Sequence, residues 1–256
     1  MSRGCTTNCT PTPRKSGRLR ATSATASSIA RGFSSNAAVP HESNASAEPA
    51  RERRSAGRSR LEAVRAAMLG CVRCRALVRC RSRVVPGSGD TRARVMFVGI
   101  APGRFGADRT GVPFSGDRSG AVLRRMLECA GLSRVFVTNL VRCNPRDARG
   151  RNRDPLGSEI ANCRSHLEAE IAIVRPQVVV CLGRLAWREL AGRDAPFDPE
   201  SPTPVMRDGR IFYPMYHPGY VIRGAFPERP YALQFQRLAR LLARAKDAKI
   251  RAHTPD

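Results

Sequence analysis

The alternation of short apolar segments with helical segments constrains the fold of this chain more than any other feature of its sequence. The apolar segments have the length of buried strands and occupy residues 95–100, 135–139, 177–181 and 211–215. Segments with the apolar spacing of helices occupy residues 61–69, 121–130, 158–174, 185–190 and 230–249. Because alternating strands and helices form a parallel sheet covered on both faces, we predict an α/β fold with three layers, α/β/α, around a central, mostly parallel four-stranded sheet.

The two ends of the chain differ in composition from this middle part. Residues 1–58 are rich in Ser, Ala, Thr, Arg and Pro and contain one Leu and one Phe. Such a segment cannot bury enough apolar surface to offset the entropy of ordering, so we predict a disordered basic arm. An over-extended start of the coding sequence would explain this arm equally well. The predicted domain spans residues 59–250, and residues 251–256 form a tail.

The charge of the chain indicates its class of partner. A formal net charge of +24 arises from 45 basic and 21 acidic residues, and Arg far outnumbers Lys. Lys and Arg neutralise phosphates, so nucleic acid is the first candidate and an anionic membrane surface is the second, although the Arg bias of a GC-rich genome contributes. No apolar run approaches the roughly 18 residues of a membrane span, and we expect no membrane insertion.

The cysteines suggest where the protein acts and what it binds. Without the apolar core of a secretory signal, the nine cysteines indicate a reducing compartment, which for this chain means the cytoplasm. The Arg- and Ser-rich start also resembles an organellar transit peptide, so targeting to an organelle stays open. In a reducing compartment, grouped cysteines are more often metal ligands or free thiols than disulfides.

Four cysteines have the grouping of metal ligands. Cys71 and Cys74 precede the first strand, and Cys143 and Cys163 follow the second. Four thiolates in two groups suit either a tetrahedral zinc ion or a 4Fe–4S cluster, and the spacing does not decide between them. Cys80 lies close to the first group and is a rival ligand.

A glycine-rich segment of residues 99–120 follows the first strand. Its six glycines allow close approach of the backbone to a ligand, and Phe114 between them is better placed to stack on a flat base than to join a core. An alternative is a surface loop with Phe114 packed beneath it. Asp117 stands just before the next helix, where its carboxylate could serve only as an N-terminal cap.

Polar residues follow two other strands. Asn139 ends the second strand, and His217 with Pro218 follows the fourth. In a parallel sheet these ends lie at one edge, where ligands bind. A histidine there can donate a hydrogen bond to a developing anion or act as an acid, although a lone His-Pro in a loop often has no function.

The ordered combination of these motifs resembles the uracil-DNA glycosylase superfamily, in particular its iron–sulfur families 4 and 5. The resemblance spans roughly residues 64–246. It is carried by the paired cysteines, the Ala101-Pro102-Gly103 loop, Thr138-Asn139, Cys143-Asn144-Pro145-Arg146, residues 151–155 with Glu159 and Cys163, Arg175-Pro176, Leu182-Gly183 and His217-Pro218.

The resemblance implies a base-excision repair glycosylase that flips uracil, or another deaminated base, out of DNA and hydrolyses its N-glycosidic bond. It implies that Phe114 stacks on the flipped base and that Asn139 binds its Watson–Crick edge. His217 would stabilise the uracil anion, and Asp117 the sugar cation or the attacking water. Further implied contacts to base or DNA are Gly99, Ala101, Pro102, Gly103 and Arg223. Cys71, Cys74, Cys143 and Cys163 would hold a 4Fe–4S cluster, in a protein that acts as a monomer.

One departure from the families leaves alternatives open. Family 4 has an acidic residue where this chain has Ile100, while the segment with Arg109-Thr110-Gly111 and Gly116-Asp117 resembles family 5. An inactive DNA-binding homologue and a zinc-bearing, non-catalytic nucleic-acid module are therefore alternatives. A branch of the superfamily that bonds covalently to DNA uses a histidine in the loop after the second strand, and residues 144–154 contain none.

Overall fold

A computed structural model describes residues 48–251 and the side chains of residues 55–244. The strands are β1 Ser88–Gly89, β2 Val95–Gly99, β3 Val135–Asn139, β4 Val178–Leu182, β5 Val205–Arg207 and β6 Arg210–Met215. The helices are α1 Glu48–Leu69, α2 Arg75–Cys80, α3 Ala107–Thr110, α4 Arg118–Cys129, α5 Gly157–Val174, α6 Arg184–Ala191, α7 Pro218–Ile222 and α8 Glu228–Arg251. The predicted arm up to residue 47 and the predicted tail from residue 252 lie outside the described residues.

The six strands form one sheet in the order β1-β3-β2-β4-β6-β5. The four inner strands are parallel to one another, and they are the four strands that the sequence predicts. The prediction of only four strands is wrong, because β1 and β5 add an antiparallel strand at each edge. These edge strands have two and three residues, which is too short for an apolar period to appear in the sequence.

Both faces of the sheet are covered, which confirms the three-layer α/β/α arrangement. On one face, Met96 and Val98 of β2 share a core with α5 and with Trp187 of α6. On the other face, Val95 and Phe97 pack with α4 and α8. Burial on both faces explains why the central strands β2 and β4 are continuous apolar runs without polar residues between them.

Helix α1 corrects the predicted boundary between arm and domain. The helix begins at Glu48, ten residues before the predicted end of the arm at residue 58. Leu61 and Met68 are buried and anchor its second half. The preceding residues contain Ala, Arg and Glu, which propagate a helix once a packed turn has formed, so a count of apolar residues alone misses them.

The parallel strands direct their carboxyl ends to one edge. Gly99 of β2 is paired with Asn139 of β3, and Leu182 of β4 with Met215 of β6. The loops that follow these residues therefore meet at the edge where ligands bind in open α/β sheets. None of the helices within residues 48–251 combines the length and the apolar character required to cross a membrane.

Candidate functional site

A cleft of about 590 Å³ opens at the carboxyl edge of the sheet. Nearly all of the predicted base-binding and catalytic residues line it, namely Ala101, Pro102, Gly103, Phe114, Asp117, Asn139, His217 and Arg223. Ile100, the residue that departs from family 4, lines it as well. The structure thus brings together residues from the ends of three strands and from the glycine-rich segment.

Gly99 lies beneath the cleft and determines how closely its walls approach. A Cβ atom at this position would lie 2.5 Å from Oδ1 of Asn139 and 2.7 Å from Cζ of Phe114. Only a residue without a side chain lets these two groups meet over the strand end. Gly99 therefore shapes the pocket without lining it.

Asn139 presents a polar atom without a partner. Its side chain is buried, and Oδ1 has no hydrogen-bond partner among the described residues. Since a buried polar atom without a partner costs free energy, such an atom in a cleft is available to a ligand.

Phe114 adopts a backbone conformation that is rare for its residue type. Its φ angle is 50°, and Arg124 donates a hydrogen bond of 2.9 Å to its carbonyl oxygen. The ring centroid lies 5.5 Å from that of His217, with 40° between the ring planes. Left-handed conformations of non-glycine residues cluster at functional sites, and here the conformation places the ring in the cleft.

The protonation state of His217 follows from its contacts. Nδ1 accepts a hydrogen bond of 3.1 Å from the backbone N–H of Gly219 at the start of α7. Burial, assisted by the charge of Arg223, lowers the pKa of His217 from its ordinary 6.5 to about 4. The imidazole is therefore neutral near pH 7, and with Nδ1 accepting, Nε2 carries the proton and can donate it in a hydrogen bond.

Asp117 caps α4 and lines the cleft at the same time. Its Oδ1 accepts a hydrogen bond of 2.9 Å from the backbone N–H of Gly120. A side chain at Gly106 would overlap the same carboxylate. The capping role that the sequence left as a rival explanation is present, and the carboxylate stays within reach of a ligand in the cleft.

Arg223 stacks beside the cleft on a neighbouring ring. Its guanidinium carbon lies 5.4 Å from the centroid of Tyr220, and both residues line the cleft. This contact holds a cation in the lining of the cleft.

Three residues in the loop after β3 belong to the site, although the sequence assigned them no role. Asn144 donates hydrogen bonds to the Pro102 carbonyl at 2.6 Å and to Oδ1 of Asn152 at 2.9 Å. Arg153 binds Glu159 through two nitrogens, at 2.8 and 2.7 Å. Burial acts to raise the pKa of Glu159, but the hydrogen bonds from Arg153 and from the backbone of Leu156, together with the Arg153 charge, lower this pKa. In the sequence, the motif of residues 151–155 was the signal that could have identified Asn152 and Arg153 as residues of the site.

The four predicted cysteine ligands line a second pocket, and each sulfur accepts an N–H hydrogen bond. The donors are Arg73 to Cys71 at 3.4 Å, Asn162 to Cys74 at 3.5 Å, Arg81 to Cys143 at 3.2 Å and the backbone N–H of Arg142 to Cys163 at 3.3 Å. Such donors stabilise negative charge on sulfur. The sequence did not indicate any of them.

Cys80, the rival ligand, lies outside the lining of this pocket. Its thiol donates hydrogen bonds to the carbonyl oxygens of Asn144 at 3.4 Å and Leu77 at 3.6 Å. These contacts place the Cys80 sulfur against carbonyl oxygens and away from the pocket that the other four thiols line.

Burial raises the pKa of the Cys143 and Cys163 thiols. Burial acts to raise the pKa of the Cys71 thiol as well, but the hydrogen bonds from Arg73, together with the charges of Arg73 and Arg81, lower it. In the part of the chain that the structure describes, no three Cys, His, Asp or Glu side chains converge closely enough to hold a single metal ion.

A family model described as the uracil DNA glycosylase superfamily matches residues 86–239 of this sequence. The chain belongs to this superfamily. The family assignment made from the motifs is thereby confirmed. The cleft falls within the matched residues, whereas Cys71 and Cys74 of the cysteine pocket precede them.

The sequence is similar to proteins of two types, named type-4 and type-5 uracil-DNA glycosylases. A type-4 uracil-DNA glycosylase of Archaeoglobus fulgidus is 32% identical over 187 residues, which cover 68% of this chain and 89% of that protein. A type-4 enzyme of Sulfurisphaera tokodaii is 41% identical over 127 residues, 48% of this chain and 54% of that protein. A type-5 enzyme of Pyrobaculum aerophilum is 38% identical over 151 residues, 47% and 65% respectively. Similarity to both types agrees with the resemblance to both families 4 and 5 that the motifs indicate.

Proposed function

We propose that this protein is a DNA repair glycosylase that takes uracil out of the helix and hydrolyses its N-glycosidic bond. The observation that carries the proposal is the buried, unpartnered Oδ1 of Asn139 in a cleft with Phe114 and a neutral His217. An amide offers one acceptor and donors, which match the N3–H and O4 of uracil, and the Phe114 ring offers a surface for the flat face of the base.

The reaction breaks the bond between C1′ of the sugar and N1 of uracil, and the electron pair leaves with the base. The negative charge spreads to the uracil oxygens, where the Nε2–H of His217 can donate a hydrogen bond. A neutral donor placed in advance stabilises a developing oxyanion in this way, and one such donor is worth about 2.7–4 kcal/mol.

Water then adds at C1′ and loses a proton. Ile100 can neither accept that proton nor orient water, so the acidic residue of family 4 has no equivalent at this position. We assign the role to Asp117, whose carboxylate lines the same cleft. A carboxylate there also stabilises the positive charge that develops on the sugar.

We propose that Cys71, Cys74, Cys143 and Cys163 hold a 4Fe–4S cluster. The residues fit the group, because four thiols line one pocket and each accepts an N–H hydrogen bond. A cluster is wider than one ion, so its ligands need not converge on a single point. When bound, the cluster supplies a cross-link between the segment before α2, the loop after β3 and helix α5.

We infer further that the enzyme acts as a monomer on uracil-containing DNA at the nucleoid of a bacterial-type cytoplasm. Its net charge of +24 supports DNA as the partner, because Lys and Arg neutralise phosphates. One active-site cleft in one chain needs no second subunit to be complete.

The proposal is tested with purified full-length protein and labelled oligonucleotides that contain one uracil opposite guanine. Excision leaves an abasic site, which hot alkali cleaves to a shorter fragment. We expect cleavage by the native protein and a loss of activity on the order of 100-fold in Asn139→Ala. DNA binding without any cleavage by the native protein would contradict the proposed function.

A further inference from the structure

One aromatic side chain beside the cleft projects into solvent. Phe105 is 67% exposed, and it is the only aromatic among the exposed large apolar residues in the part of the chain with described side chains. It stands two residues from Gly103 and two from Ala107, both of which line the cleft. Single exposed apolar residues are common, so exposure alone would mean little, but this one belongs to a segment whose residues on either side line the cleft.

Phe105 is carried by the loop tip of residues 103–108, which hydrogen bonds hold in place. The backbone N–H groups of Gly106 and Asp108 donate to the Gly103 carbonyl at 3.2 and 3.1 Å. The backbone N–H of Arg104 donates to Oδ1 of Asn152 at 3.1 Å, and its Nη1 donates to the Gly150 carbonyl at 2.7 Å. A tip that is already ordered loses little entropy when it inserts into a partner.

The chemistry of the tip suits a nucleobase. The guanidinium carbon of Arg104 lies 5.0 Å from the Phe105 ring centroid, which adds positive charge to a flat apolar surface. Exposed Arg149 and Arg151 lie on the adjoining turn. Aromatic rings beside arginines are the means by which proteins stack bases while they neutralise the backbone.

Phe105 cannot be the ring that binds the excised base, because Phe114 already occupies the cleft and is only 8% exposed. We propose that Phe105 is a wedge that stacks on the base pair next to the flipped uracil and holds the duplex open. Apolar residues that insert between base steps unstack and kink duplex DNA in this manner. This inference rests on the proposed function, because it assigns double-stranded DNA as the substrate of the same cleft.

The wedge acts on paired DNA, so its effect must depend on strandedness. Single-turnover excision is measured for the native protein and for Phe105→Ala on uracil in a duplex and on the same uracil in a single strand. We expect the duplex rate to fall about tenfold or more, within the range of one base–aromatic stack, and the single-strand rate to change much less. Phe105→Trp should recover most of the loss.

Met206→Ala serves as the matched control, because Met206 is 66% exposed on β5 and does not line the cleft. It should leave both rates unchanged. Equal rates for Phe105→Ala and the native protein on the duplex, or equal losses on both substrates, would overturn the wedge.

A binding measurement separates this inference from the proposed function. A duplex with a non-cleavable uracil nucleotide beside 2-aminopurine reports unstacking of the neighbouring base by fluorescence. The native protein should change this fluorescence, and Phe105→Ala should not, whether or not the bond is ever cleaved. An identical fluorescence change in both proteins would contradict the wedge, while a native protein that unstacks the duplex but never excises uracil would contradict only the proposed function.

Discussion

The guanidinium of Arg142 and the carboxylate of Glu170 form an ion pair of 2.8 Å in which both side chains are buried. Arg142 also donates to the carbonyl oxygen of Asn139, and Glu170 accepts from Thr138 at 2.7 Å and from the backbone of Gly87 at 2.7 Å. The pair thus ties the strand end that carries Asn139 to helix α5, the helix that carries Cys163.

Removal of one partner of this pair should destabilise the protein strongly. In Glu170→Leu the Arg142 charge stays buried without compensation, and we expect a loss of about 3–5 kcal/mol in the free energy of unfolding. The double variant Arg142→Met/Glu170→Leu should regain much of that loss, since it buries no charge. Unfolding in urea measures the free energy of unfolding of the single and the double variant. Arg125→Ala, which breaks the exposed pair with Glu228, should cost less than about 1 kcal/mol.

Asp117→Asn should separate catalysis from helix capping. The amide oxygen can still accept from Gly120, so the melting temperature should barely change, while turnover on uracil DNA should fall on the order of 100-fold. Asp117→Ala should in addition lose the cap, at about 0.5–2 kcal/mol. Unchanged turnover in Asp117→Asn would remove Asp117 from the mechanism and leave catalysis to His217 and to the desolvation of uracil.

The low pKa of His217 makes a prediction about pH. Since the folded-state pKa is about 4, His217 stays neutral as pH falls from 8 to 5, and the single-turnover rate should show no His217-dependent decrease near 6.5. The unfolded state takes up this proton near pH 6.5, so the contribution of His217 to stability should decrease as pH falls from about 6.5 to about 4. A decrease in rate with its midpoint near 6.5 that disappears in His217→Gln would contradict the assignment.

The cysteine assignment predicts opposite results for two neighbouring thiols. Cys74→Ala removes one of the four proposed ligands, so the purified protein should lose iron, sulfide and brown colour. Cys80→Ala removes a thiol that donates to carbonyl oxygens outside the pocket and should retain all three. Elemental analysis and visible absorption measure both variants. Loss of the cluster in Cys80→Ala with retention in Cys74→Ala would reverse the ligand set.

The sequence by itself determined the parallel core of the sheet and the residues of the cleft. Strands β2 and β4 are continuous apolar runs. The site residues stand at strand ends, since Asn139 is the last residue of β3 and His217 comes two residues after the end of β6. These relationships are local in the chain, and the geometry of a parallel sheet gathers the strand ends at one edge. Phe114, Asn139 and His217 could therefore be placed in one cleft without coordinates.

Only the tertiary structure decided which partners these residues meet. The N–H donors to the four sulfurs, the pairing of Arg142 with Glu170 and the bond from Gly87 to Glu170 join residues that are mostly far apart in the chain. The two edge strands form because short segments meet an existing sheet, and the first half of α1 propagates from a turn that packing anchors. Periodicity reports which face of an element is apolar, whereas a specific polar partner depends on how the packed elements bring distant residues together.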